Sequence, residues 1–120
     1  MTDPTRRSIA CIAGSIIGRQ NSSSVYDYSV SKHFSFSVNF SGSSVNAYDY
    51  TERCHITGSG NSTSFSLFHY GNRGHITLEI NGNNFSGYDY HSRKHFSGSV
   101  SGRSVTVYDY EVSRHFNYSI

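Results

Sequence analysis

The chain has 120 residues, a formal net charge of +2, 35% hydrophobic and 15% charged residues, which is enough for one domain but leaves little margin for a core. Ten tyrosines, eight phenylalanines and eleven glycines against one proline are strand-and-turn vocabulary, and a disordered segment would lack those aromatics. The near-balanced charge points away from a dedicated nucleic-acid binder, and no apolar run reaches the roughly 20 residues of a membrane span.

At the start of the chain, Arg6-Arg7 ahead of Ser8 to Ile17 has the outline of an export signal, and Ser8-Ile9-Ala10-Cys11 that of a weak lipobox. Both are set aside, because Cys11-Ile12 lies 22 residues before His33-Phe34 and so keeps the phase of a repeat that runs through the whole sequence. On this reading residues 4–25 are a first unit of strands. With no export signal, the default compartment is cytoplasmic.

The repeat itself is Y-D-Y, four variable residues, then His and an apolar residue. Y-D-Y begins at Tyr26, Tyr48, Tyr88 and Tyr108, with Phe68-His69-Tyr70 as a degenerate copy, in steps of 22, 20, 20 and 20 residues. A histidine follows seven positions after each start, at His33, His55, His75, His95 and His115. The units are 26–47, 48–67, 68–87 and 88–107, with a half-unit 108–120, all in a single domain over 1–120.

Within the unit from Tyr88, Phe96, Gly98 and Val100 alternate with polar His95, Ser97 and Ser99, the period of a half-buried strand. Gly102-Arg103 and Gly82-Asn83 suit two-residue type II′ turns, whose first residue needs a positive φ. The longer unit from Tyr26 accommodates its extra pair at the hairpin tip, with Phe40 opposite Ser43 around Ser41-Gly42. The other connection runs through Glu111 to Arg114 as a four-residue loop, so that Tyr110 opposes His115 and Asp109 opposes Phe116.

The fold class is therefore all-β: hairpin units of about 20 residues forming an eleven-strand antiparallel meander, curled or closed into a barrel-like sheet. A parallel β-solenoid is the alternative, since its coils can be of similar length. One face carries Ile12, Ile16 and the strand Phe, Val, Ile and Leu residues and must be covered. Glycines at Gly14, Gly58, Gly60, Gly87 and Gly98 on that face imply a flattened barrel or tight bends, with bulky residues from one wall filling the space left by the other.

The opposite face collects tyrosines, histidines and serines. Aromatic platforms beside hydroxyl and imidazole donors suit sugar rings, which makes Tyr48, Tyr50, His55, Tyr88, Tyr90, His95, Tyr108, Tyr110 and His115 the candidate ligand-binding residues. The blander account is cross-strand pairing that stabilises the sheet. Asp27, Asp49, Asp89 and Asp109 share a position on the apolar face and read as loop caps, with Lys32, Arg53, Arg73, Arg93, Lys94 and Arg114 as candidate partners and as a basic rim. His69 replaces the aspartate once, beside Gly71 and Gly74, and that loop is expected to differ in conformation.

Asp109 and His115 fall on opposite faces, so no catalytic set is assigned, and no Cys/His cluster has metal-ligand spacing. Neither cofactor nor metal is implied. Cys11 and Cys54 are expected to be free thiols, four strand spacings or roughly 19 Å apart. The functional expectation is a non-catalytic binding module with a glycan as partner. The alternative is a structural or self-assembling module in which the outer surface or an unpaired edge strand contacts further copies of the chain.

Overall fold

The computed structural model describes all 120 residues as one α-helix enclosed by ten β-strands. Helix α1 is Asp3–Gly18; the strands are β1 (Ser24–Asp27), β2 (Lys32–Ser41), β3 (Ser44–Asp49), β4 (Cys54–Gly60), β5 (Ser64–His69), β6 (Gly74–Asn81), β7 (Asn84–Asp89), β8 (Lys94–Ser101), β9 (Ser104–Asp109) and β10 (Arg114–Ser119). All ten form an antiparallel meander, and β1 closes on β10 through Tyr26↔Ser119 and Asp27↔Tyr118 to complete a barrel. The solenoid alternative is thereby overturned.

Eleven strands become ten because residues 4–25 do not form a strand unit. Thr2 caps α1, its hydroxyl accepting from the Thr5 amide at 3.3 Å; Pro4 stands in the first turn and Arg19 ends the helix in the left-handed conformation (φ 55°). Ile9, Ile12, Ala13 and Ile16 recur at three- and four-residue spacing, a helical period that the coincidence of Cys11-Ile12 with the repeat phase conceals. An even strand count then lets the last strand meet the first antiparallel. Closure leaves no strand without a neighbour on each side in the sheet order.

A helix fits because of the barrel's girth. Ten strands about 4.8 Å apart and tilted by about 40° close a cylinder of roughly 10 Å radius, wider than inward side chains alone can fill. Every residue from Thr5 to Ile16 is buried, so the helix touches wall on all sides. Small residues on α1 make that possible: a Cβ on Gly14 would lie 2.6 Å from the Ile120 Cδ1 and 3.0 Å from the Val105 Cγ2.

The glycines in the wall serve the same end. Phe85 pairs with Gly98 and Gly87 with Phe96, and each ring covers the neighbouring glycine so closely that a Cβ would sit within 2.5 Å of it. Bulky side chains do fill glycine gaps, but they come from the adjacent strand. The core also takes Val25, Ala47 and Tyr118, which the alternation analysis did not single out.

The two-residue turns are as expected. Gly42, Gly82 and Gly102 have φ of 61°, 62° and 60°, while the residues after them keep negative φ, the type II′ pattern. Two registers differ from expectation by two residues each, which preserves the face of every side chain. The β2–β3 tip is Gly42-Ser43 with Phe40 opposite Val45, because the positive-φ position takes the glycine. The extra pair of that unit lies along β2, where Lys32 faces Asp27 and Phe36 faces Asp49. The equivalent offset in β4, from Cys54 facing Asp49 to Ile56 facing His69, is two residues shorter, so the insertion adds strand stagger at the seam and leaves the turn unchanged.

At the other connection Arg114 faces Asp109 and His115 faces Tyr108, making Tyr110 the first loop residue. The fourth loop residue is left-handed in all five loops: Ser31, Arg53, Arg73, Arg93 and Ser113, with φ between 52° and 59°. The loop after His69 shares this conformation, contrary to the expectation that it would differ. Its imidazole does the aspartate's work, Nδ1 accepting from the Asn72 amide at 3.3 Å, and Gly71 provides space beside the ring that a Cβ would take. Burial lowers the His69 pKa, and the nearby Asp49 and Asp89 charges only partly oppose that, so the ring is held neutral with Nε2 unpaired.

The aspartates do cap the loops: Oδ1 of Asp27, Asp49, Asp89 and Asp109 accepts from the amides of Ser29, Thr51, His91 and Glu111 at 2.9 to 3.2 Å. Their cationic partners are not the loop residues. Arg6 Nη1 donates to Asp109 at 2.8 Å and Arg7 Nη1 to Asp27 at 3.3 Å, while the Met1 ammonium pairs with Asp109 at 3.1 Å and with Glu111. The two guanidinium groups also lie 3.8 Å and 3.7 Å over the Phe116 and Phe34 rings. A helix that enters the barrel carries its positive charges to carboxylates already turned inward.

Two measurements test this packing. Burial would raise the Asp109 pKa, but the Glu111 amide, Arg6 and the N-terminal ammonium hold it below the usual carboxylate value. Its contribution to stability is therefore present above about pH 4 and lost as pH falls through the lower folded-state value. Asp109→Asn should cost about 3 to 5 kcal/mol near neutral pH by stranding Arg6, against about 1 kcal/mol for Asp89→Asn, which strands no cation; equal losses in denaturant melts would contradict the pairing. Gly14→Ala should destabilise the wild type by about 1 to 2 kcal/mol through overpacking, yet be neutral or stabilising in an Ile120→Val background, where the obstructing Cδ1 is gone.

Candidate functional site

Alternation in every hairpin sends the Tyr/His side chains outward, and register then stacks them. Tyr48 faces His55, Tyr88 faces His95 and Tyr108 faces His115 across paired strands, and the tyrosine two positions later folds back from the loop onto the first. The ring centroids lie 4.9 and 4.7 Å apart in Tyr50–Tyr48–His55, 4.8 and 4.8 Å in Tyr90–Tyr88–His95, and 4.7 and 4.6 Å in Tyr110–Tyr108–His115. All are edge-on, with interplanar angles from 62° to 82°. Tyr28–Tyr26–His33 and Tyr70–Phe68–His75 repeat the arrangement.

The nine residues singled out from the sequence thus form three of five equivalent triads around the barrel. Edge-to-face contacts of this kind contribute about 0.5 to 1.5 kcal/mol each. The loop tyrosines still leave half their surface to solvent, from 51% for Tyr110 to 58% for Tyr28. The loop cations Arg53, Arg73, Arg93, Lys94 and Arg114 are exposed beside them and make no ion pair, giving a basic rim at the loop end.

The girdle is concave in two places, a smaller groove of about 350 Å³ beneath Tyr28 over β9 and β10 and a larger one beneath Tyr110. The larger groove, of about 440 Å³, runs over β6, β7 and β8, where Tyr88 and His95 of one hairpin meet Tyr110 from the next. The Tyr110 amide donates to the His95 carbonyl at 3.3 Å, which holds the loop tyrosine against the strand of the preceding unit. Glu79, Thr77 and Ser86 supply the polar wall, and Glu79 is the one carboxylate on a strand's outer face. Its Oε1 accepts from the Ser64 hydroxyl at 3.3 Å, and the Thr77 hydroxyl accepts from the Tyr88 amide at 3.1 Å.

Tyr48, Tyr50, His55, Tyr90, Tyr108 and His115 lie outside the groove: Tyr90 in the groove's own triad, Tyr108 and His115 in the next one, and Tyr48, Tyr50 and His55 two hairpins away. Sequence reasoning found the aromatic members of the groove and missed Thr77 and Ser86. Glu79 stands where other units place serine or asparagine, and that departure is the signal for it. Asp109 is buried inside the barrel while His115 is exposed outside, so the two do not meet.

Both cysteines are free and buried. Cys11 lies on the helix, where burial pushes its thiol up to about 12, and Cys54 opens β4 opposite Asp49; strand spacings therefore do not measure their separation. No helix is long and apolar enough to cross a membrane. No family model matches the chain, and no curated protein or solved structure matches it either.

Proposed function

We propose that the protein is a non-catalytic binding module that holds a glycan against its outer wall, in the groove between Tyr88, His95 and Tyr110. The observation that carries this reading is the groove itself, a concavity of about 440 Å³ with aromatic rings on one side and Glu79, Thr77 and Ser86 on the other, whereas the smaller groove beneath Tyr28 has no carboxylate. A pyranose needs an apolar platform for its C–H face together with acceptors and donors for its hydroxyls, and these side chains supply both. The shallow shape favours a chain of sugars over an enclosed monosaccharide.

A structural role is the second reading, and the near-identical triad geometry on all five hairpins favours it: rings that pack alike at every position stabilise the wall whether or not a ligand exists. The two readings part at the groove. Saturation-transfer NMR with sugars selected on a glycan array should place the sugar protons on the rings of Tyr88 and Tyr110. Tyr88→Ala should weaken binding about three- to tenfold, and Glu79→Gln should weaken it too, while Tyr48→Ala on the opposite hairpin leaves it unchanged. Absence of any bound sugar, with concentration-dependent association in sedimentation, would instead support the structural module.

A further inference from the structure

We infer that the barrel has a second, independent ligand site at the opposite end, in the mouth around the C-terminus of α1, and that it takes a small amphipathic monoanion such as a medium-chain carboxylate. The mouth holds an open cleft of about 750 Å³, inside the range of small-molecule sites, and barrel mouths are a recurrent place for them. Its floor is Ile16 and Ile17 of the helix, and its walls are Phe40 of β2 and Ile80 of β6. Ile17, Phe40 and Ile80 pack on the core yet remain only partly buried, so apolar surface is left in contact with water here and nowhere else in the interior.

The cleft is open on one side for a local reason. Across the helix, Ile120 packs against Gly14 and Val105, and the Arg103 guanidinium donates to the Ile120 carbonyl at 2.8 Å, which draws the end of the chain over that half of the mouth. On the β2–β6 side Phe40 and Ile80 are left partly exposed above the end of the helix.

Charge selects the occupant. Of the twelve lining residues one is a cation, Arg19, and none is an acid, so an anionic head group meets attraction without an opposing carboxylate. Arg19 makes no ion pair of its own. The helix C-terminus would ordinarily repel an anion, but the amides of Arg19 and Gln20 already tie off the carbonyls of Ile16 and Ser15 at 3.3 and 3.0 Å. Ser43, Ser62 and Gln20 add donors around the rim. An apolar tail on the isoleucine floor with its carboxylate at Arg19 satisfies every part of this surface.

Octanoate and octan-1-ol share a tail and differ in charge, so titrating each into isotopically labelled full-length protein separates the parts of the claim. Octanoate should shift the methyl resonances of Ile16, Ile17 and Ile80 and bind at least about fivefold tighter than octanol. Arg19→Asn, which keeps a residue tolerant of the left-handed conformation, should reduce octanoate to the octanol level, and Arg19→Lys should retain the preference. Undisturbed spectra of the unliganded variants exclude misfolding as the cause. Equal affinity for the two probes, shifts at the Tyr88 groove in place of the mouth, or no shifts at millimolar probe would each overturn the inference.

Discussion

The structure depends on one steric condition: a closed ten-stranded wall encloses more space than its own inward side chains can fill. A barrel of fewer strands packs its interior from the wall, whereas this one requires a rod about as wide as an α-helix along its axis. The sixteen residues of α1 span about 24 Å, close to the height of the barrel, and small side chains at Ala10, Cys11, Ala13 and Gly14 let the wall approach from every side. Helix and sheet are therefore interdependent. Without α1 the inward Phe, Ile, Leu and Val residues would face a void, and without the wall a helix this rich in buried surface would have nothing to pack against.

The same condition explains the charges. Asp27, Asp49, Asp89 and Asp109 sit at strand ends on the inward face because each must cap the loop that follows, and a capping carboxylate there is pulled out of water. The start of the helix and the residue ahead of its cap bring two guanidinium groups and an ammonium into that ring, where they neutralise Asp27 and Asp109 while the guanidinium groups stack on Phe34 and Phe116. His69 fits the series, since a neutral imidazole can accept the capping hydrogen bond without adding a third uncompensated charge next to Asp49 and Asp89. Loop geometry, helix insertion and charge balance meet at this end of the barrel.

Much of the architecture was legible in the sequence because the repeat writes it five times. Period-two alternation gave the strands, Gly-X pairs the type II′ turns and constant parity the faces, so even registers off by two left every side chain on its predicted side. The helix was not legible by that method. Ile9, Ile12, Ala13 and Ile16 carry a helical period, but Cys11-Ile12 falls in phase with His33-Phe34, and a repeat argument extends a phase wherever it can. Residues 4–25 were consequently read as a strand unit, and the loop cations were assigned to aspartates of which the helix in fact neutralises Asp27 and Asp109. The Tyr/His girdle was legible residue by residue, whereas the groove was not, because its lining is drawn from three strands and the loop tyrosine of the next unit.

Repetition also constrains where recognition can arise. Five nearly equal triads present the same chemistry around the whole perimeter, so a ligand that recognised only a Tyr–Tyr–His stack would have no reason to prefer one hairpin. Discrimination must come from the positions at which the units differ. Two such places stand out, and they differ in kind: Glu79 adds a carboxylate to the outer wall beside Tyr88, and Ile17, Phe40 and Ile80 leave apolar surface partly exposed at the mouth. The first departs by charge and the second by exposure. Neither side chain set is needed for closure of the barrel, since the strands on either side of each pair in full register. A fold that meets its packing requirement with identical units is thus free to vary at a few positions, and it is there that the surface acquires features a ligand can distinguish.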